Sequence, residues 1–148
     1  MSCWKQMSKD SVRTPKYIIN ALRREFKVRT FYDPTPYNPN FKKGSSKDAL
    51  LTEWGPVSFI NPPYSNVKPF FEKAHEQWRK KKTIIMLCKL SNLATPYAQQ
   101  FAKGAELRIL NRRIVFPGYS GMPRFNSALV IWRAGKRSNK YSVIEMKA

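Results

Sequence analysis

The 148-residue chain sets 28 Lys and Arg against nine Asp and Glu, a formal charge of +19, and 42% of it is hydrophobic. This length and composition suit one globular domain over 1–148 and exclude a disordered chain, and no apolar run approaches the ~20 residues that span a membrane. The charge makes a nucleic acid the expected partner, bound less tightly as salt rises, and argues against a membrane surface because no basic amphipathic helix has a separate insertion face.

Residues 1–13 are polar and basic and read as an irregular arm, with no apolar stretch like a signal peptide. Thr14-Pro15 opens a helix, with Thr14 as N-cap and Pro15 at the first helical position. Tyr17, Ile18, Ala21, Leu22 and Phe26 make its apolar face. "RTFYD" (29–33) reads as a short strand, and "PTPYNPNFKKGSSKD" (34–48), with three prolines, as a long loop. "PVSFI" (56–60) is the next strand and runs directly into Asn61-Pro62-Pro63-Tyr64. Two successive prolines fix two φ angles and remove two N–H donors, so this loop is stiff and rich in acceptors.

"SNVKPFFEKAHEQWRKKK" (65–82) reads as a helix capped by Ser65 or Asn66, with Val67, Phe70, Phe71, Ala74 and Trp78 on one face. "TIIMLCKL" (83–90) has the nearly continuous apolar character of a strand buried on both faces. Thr95-Pro96 starts a further helix that Gly104 ends. "AELRIL" (105–110), "RRIVF" (112–116) and "SALVIWR" (127–133) read as strands, and 134–148 as a basic tail. The alternation predicts an α/β fold with a mainly parallel central sheet, helices on both faces and antiparallel C-terminal strands.

In such sheets ligands lie beyond the carboxyl ends of the strands. The loops 33–48, 61–66 and 90–95 qualify, and they carry Asn61 and two of the three aspartates, Asp33 and Asp48. The loop "PGYSGMPRFN" (117–126) supplies Tyr119 and Arg124 as candidate contacts to a nucleic-acid strand, a surface that Lys136 and Arg137 extend. His75 lies apart from any Cys or carboxylate cluster, so no metal site is expected. Cys3 and Cys88 lack metal or disulfide spacing and read as reduced thiols of an intracellular protein.

A strand ending in Asn-Pro-Pro-Tyr resembles the signature of amino-directed methyltransferases that use S-adenosylmethionine. The stretches "TPKYIINAL", "FYDPTPYNPNF", "DALLTEW", "FINPPYSNVKPFFEKA", "IIMLCKL", "AELRILNRRIVF" and "FNSALVIW" follow the order seen in compact phage- and virus-type DNA N6-adenine methyltransferases. The resemblance implies a Rossmann-like methyltransferase fold and an enzyme of phage or viral origin acting inside a host cell. It makes Asn61, Pro62, Pro63 and Tyr64 the catalytic loop. It also places Thr14-Pro15 and Asp33-Pro34 by the methionine part of the cofactor, and Asp48 by its ribose or adenine, with Asn61 touching both substrates.

Adenine N6 is a poor nucleophile because its lone pair is delocalised into the ring. Acceptors at Asn61 Oδ1 and the Pro62 carbonyl would hold its two N–H bonds and localise that pair, while Tyr64 stacks on the extruded base. The same loop would accept an RNA adenine, since it reads the base and not the sugar. A catalytically degenerate nucleic-acid scaffold is the other alternative, because the turn "DPTPYNPNF" has no glycine; cofactor binding separates the two. The chain leaves little room for a target-recognition domain, so a short target sequence, or a homodimer or partner subunit, is expected.

Overall fold

The computed structural model describes residues 13–36, 48–117 and 125–147. Among these residues the order is α1 (Lys16–Phe26), β1 (Val57–Ile60), α2 (Lys68–Arg79), β2 (Thr83–Lys89), a 3-10 turn (Leu90–Ala94), α3 (Pro96–Phe101), β3 (Glu106–Leu110), β4 (Ser127–Trp132) and β5 (Tyr141–Ile144). The strands lie side by side as β1-β2-β4-β3-β5. β1 pairs parallel with β2 and β3 parallel with β5, while β4 runs antiparallel to both β2 and β3. The four other strands therefore point one way, and the antiparallel character expected of the C-terminal strands belongs to β4 alone.

Side chains on a strand alternate between faces, and β2 uses both. Ile84, Met86 and Cys88 join one core with Phe70, Phe71, Ala74 and Trp78 of α2 and Ala98 of α3. Ile85 and Leu87 join the other with Ile18 and Leu22 of α1. Helices thus cover both faces, as the apolar run "TIIMLC" requires. Cys88 is so enclosed that burial pushes its thiol up to about 12.

Several elements differ from the sequence expectation. The "RTFYD" strand shrinks to one parallel bridge, Tyr32 to Ser58, because Pro34 supplies no donor to extend it. Gly55 permits that bridge, since a Cβ there would come 2.7 Å from Tyr32 Cβ. "RRIVF" forms no strand: Ile114 and Phe116 turn into the α1-side core and Val115 outward, while the chain leaves β3 to return as β4. Residues 134–148 hold β5, whose short apolar alternation "YSVI" sits among polar and charged neighbours and aligns with β3.

Helix starts also shift. Pro15, not Thr14, is the N-cap of α1, and its carbonyl accepts from the Ile18 and Ile19 amides. α2 begins at Lys68 with buried Val67 as N-cap, and neither Ser65 nor Asn66 caps it. Thr95 does cap α3, its hydroxyl accepting from the Ala98 amide at 3.2 Å.

Candidate active site

Asn61 follows β1, and β1 ends in register with Met86 of the parallel β2. The loop therefore leaves the sheet at its carboxyl edge. Pro62 is buried and Pro63 half-buried, and the Pro63 carbonyl accepts from the Asn66 amide at 3.3 Å to close the turn. Two proline rings fix two φ angles and one intra-loop bond closes the turn, which restricts the backbone that carries the Asn61 and Pro62 oxygens.

Because Pro15 caps α1, the Thr14 hydroxyl is available elsewhere, and it accepts from Asn61 Nδ2 at 3.3 Å. The Asn61 backbone carbonyl accepts a long 3.5 Å hydrogen bond from the Thr35 hydroxyl. Thr35 in turn donates its amide to Asp33 Oδ1 at 2.9 Å. The Tyr32 bridge brings this segment beside β1, so Thr14, Asp33, Pro34 and Asn61 meet at one end of the sheet. Desolvation in that corner raises the Asp33 pKa above the ordinary carboxylate value, while the bonds from Thr35 lower it, and the net shift is upward.

Asp48 is buried, and its Oδ1 accepts from the Leu50 amide at 3.0 Å, which closes a turn over 48–51. That segment is pinned by Trp54, whose indole donates to the Ala49 carbonyl at 2.9 Å and whose amide donates to Gln77 Oε1.

Tyr64 stands in an aromatic cluster. Its ring meets Phe125 edge-on at 5.4 Å and Phe116 at 6.4 Å. Lys89 Nζ lies 5.0 Å from the centre of the Tyr64 ring and 4.8 Å from that of Phe125. Register explains the meeting: Lys89, last in β2, pairs with Ser127, first in β4, so Phe125 arrives at the edge where β1 delivers Tyr64.

A model of the DNA N-6-adenine-methyltransferase (Dam) family matches residues 1–143 of the chain. The chain belongs to that family. It is a DNA adenine-N6 methyltransferase, and the donor used by this family is S-adenosylmethionine. A search of curated proteins found no match.

In the methyltransferase the sequence-derived site residues fall into three groups. Thr14, Pro15, Asp33, Pro34, Asn61, Pro62, Pro63 and Tyr64 converge on the carboxyl edge, with Asp48 in the segment pinned beside α2. Tyr119 and Arg124 lie outside the described residues. Lys136 and Arg137 follow β4, which runs from Ser127 opposite Lys89 to Trp132 opposite Ile84. They therefore sit at the other end of the sheet, about 16 Å away at ~3.3 Å per strand residue. There the Arg137 guanidinium covers the Trp78 ring at 5.7 Å.

Further basic and aromatic residues lie at the same end of the sheet as Asn61, beyond the candidates that the sequence offers. Arg112 and Arg113, both exposed, follow the carboxyl end of β3, on the side where Asn61 follows β1, and Arg112 is tied to Glu145 at 2.6 Å. Lys89, Phe116 and Phe125 line the Tyr64 cluster. The visible signal for Lys89 was a single cation ending an otherwise apolar strand; for the arginines it was their place directly after one. His75 packs against Trp78 and Phe101 at ring distances of 5.7 and 5.9 Å. Among the described residues no cluster suits a metal ion, and no helix is long and apolar enough to cross a membrane.

Proposed function

We propose that this methyltransferase carries out its reaction at the Asn61–Tyr64 loop. The observation that carries the reading is the Thr14–Asn61 hydrogen bond at the carboxyl edge, beside the Tyr64 aromatic cluster. Thr14 engages the donor end of the carboxamide, which orients Oδ1, the acceptor end, toward the substrate amino group. Asn61 Oδ1 and the Pro62 carbonyl then accept the two N–H bonds of adenine N6. Holding both draws the nitrogen toward tetrahedral geometry, with its lone pair out of the ring plane. Tyr64 stacks on the base once it has left the duplex, a contact worth about 1–3 kcal/mol.

The corner formed by Thr14, Asp33 and Pro34 suits a cationic amino acid carrying a sulfonium: a carboxylate and hydroxyl groups face it from two chain segments. S-adenosylmethionine would supply the electrophilic methyl group there. Asp33 balances positive charge, and Thr35 ties the Asp33 segment to the catalytic loop. Asp48, with its Oδ1 in a backbone turn, serves by holding the second loop in place. The basic residues of the same edge, Arg112 and Arg113, face the DNA backbone.

Incubation of the wild type and Asn61→Ala with labelled methyl donor and duplex DNA, followed by mass spectrometry of the nucleosides, tests this. The expected product is N6-methyladenine, with kcat at least about a hundredfold lower in the variant. Label on cytosine N4, or an unimpaired variant, would overturn the reading.

A further inference from the structure

Lys89 is the one charged residue of β2, at its carboxyl end. Its ammonium occupies the corner between the Tyr64 and Phe125 rings, which cross at 76°. Two ring faces hold a cation by about 0.5–2 kcal/mol but satisfy none of its three N–H donors in full. No carboxylate among the described residues pairs with it: the ion pairs there engage Lys73, Lys80, Lys82, Arg108, Arg112, Arg133 and Lys147. Lys80 and Lys82, both on Glu53, show what a structural lysine looks like in this protein, and they lie at the far end of the sheet.

Charge decides what Lys89 can bind. N6 gains positive charge as it takes a methyl group, so a cation beside it opposes the reaction. The sulfonium corner is already cationic in its ligand. The anionic component that enters with the base is the nucleotide's phosphate. We propose that Lys89 is a positioning residue that binds a backbone phosphate of the extruded nucleotide, its ammonium swinging from the Tyr64–Phe125 corner as the base takes its place on Tyr64. The inference rests on Tyr64 being the stacking platform, and the flexible four-carbon stem supplies the reach.

The test uses full-length Lys89→Gln and Lys89→Arg, with thermal melts confirming the fold. KM for duplex DNA, kcat at saturating DNA and the slope of log affinity against log salt are measured for each. Lys89→Gln is expected to raise KM about tenfold, the scale of a lost charge-assisted hydrogen bond, with kcat within about twofold of wild type. Its salt slope falls by about one, as for one lost phosphate contact, and Lys89→Arg restores both. An unchanged slope, or a loss seen only in kcat at saturation, overturns the assignment. Asn61→Ala is run alongside: an inactive Asn61 variant with an unchanged Lys89→Gln slope sinks the phosphate contact alone, whereas a fully active one sinks the catalytic-loop reading.

Discussion

The Asn61 carboxamide donates to the Thr14 hydroxyl at 3.3 Å, across 47 positions of sequence. A side chain just before α1 thus engages one just after β1. Thr14→Val removes the acceptor while keeping the shape. The expected effect is a drop in kcat of about fivefold, matching ~1 kcal/mol for one hydrogen bond, with Thr14→Ser near wild type. Equal rates for Val and Thr would show that Asn61 is oriented by other contacts.

Tyr64 presents its ring within the Phe116 and Phe125 cluster. Tyr64→Ala is expected to cost about 1–3 kcal/mol in kcat/KM, and Tyr64→Phe little, because stacking needs the ring and not the hydroxyl. Fluorescence of 2-aminopurine at the target position reads base extrusion directly. A Phe variant as impaired as Ala would point to the hydroxyl instead.

Arg137 covers Trp78 at the end of the sheet remote from Asn61. Arg137→Ala is therefore expected to lower stability by about 0.5–1 kcal/mol through the lost ring contact and to leave the salt slope of DNA binding unchanged. A slope smaller by about one would place DNA on that end as well.

Acid should weaken the fold through one ion network. Arg108 bonds both Glu25 and Glu106, and Arg133 reaches the same two carboxylates, joining α1 to β3 and β4. Hydrogen bonding by Arg108, joined by Arg133, holds Glu25 below the ordinary 4.5. Burial pushes Glu106 up, yet the same arginines outweigh it and the net shift is downward. For lowered carboxylates the stabilisation is present above the unfolded value and lost as pH falls through the folded one. Asp33, raised by desolvation, acts in the opposite sense. Denaturation midpoints are thus expected to fall as pH drops below 4.5, and to do so less in Glu25→Gln.

Arg108→Gln at neutral pH leaves buried Glu106 with Arg133 alone. Breaking a buried pair costs about 3–5 kcal/mol, and the remaining partner puts the expected loss near ~3 kcal/mol in urea unfolding. A loss below about 1 kcal/mol, the range of exposed pairs, would show that the network is screened by water.

Local chemistry was legible before any coordinates. The apolar run at 83–88 predicted a strand enclosed on both faces, the spacing of Phe70, Phe71, Ala74 and Trp78 predicted the buried face of α2, and Asn-Pro-Pro-Tyr after a strand predicted the stiff loop that leaves the carboxyl end of β1. Each depends on neighbours a few residues apart, where periodicity and proline stereochemistry act directly. Thr14 and Asp33 were singled out from the chain, but their bonds, to Asn61 and Thr35, were not. Strand order and direction belong to long-range pairing, which no local pattern encodes. It is the insertion of β4 between β2 and β3, running against both, that carries Phe125 to Tyr64 and Lys89 while sending Lys136 and Arg137 to the far edge.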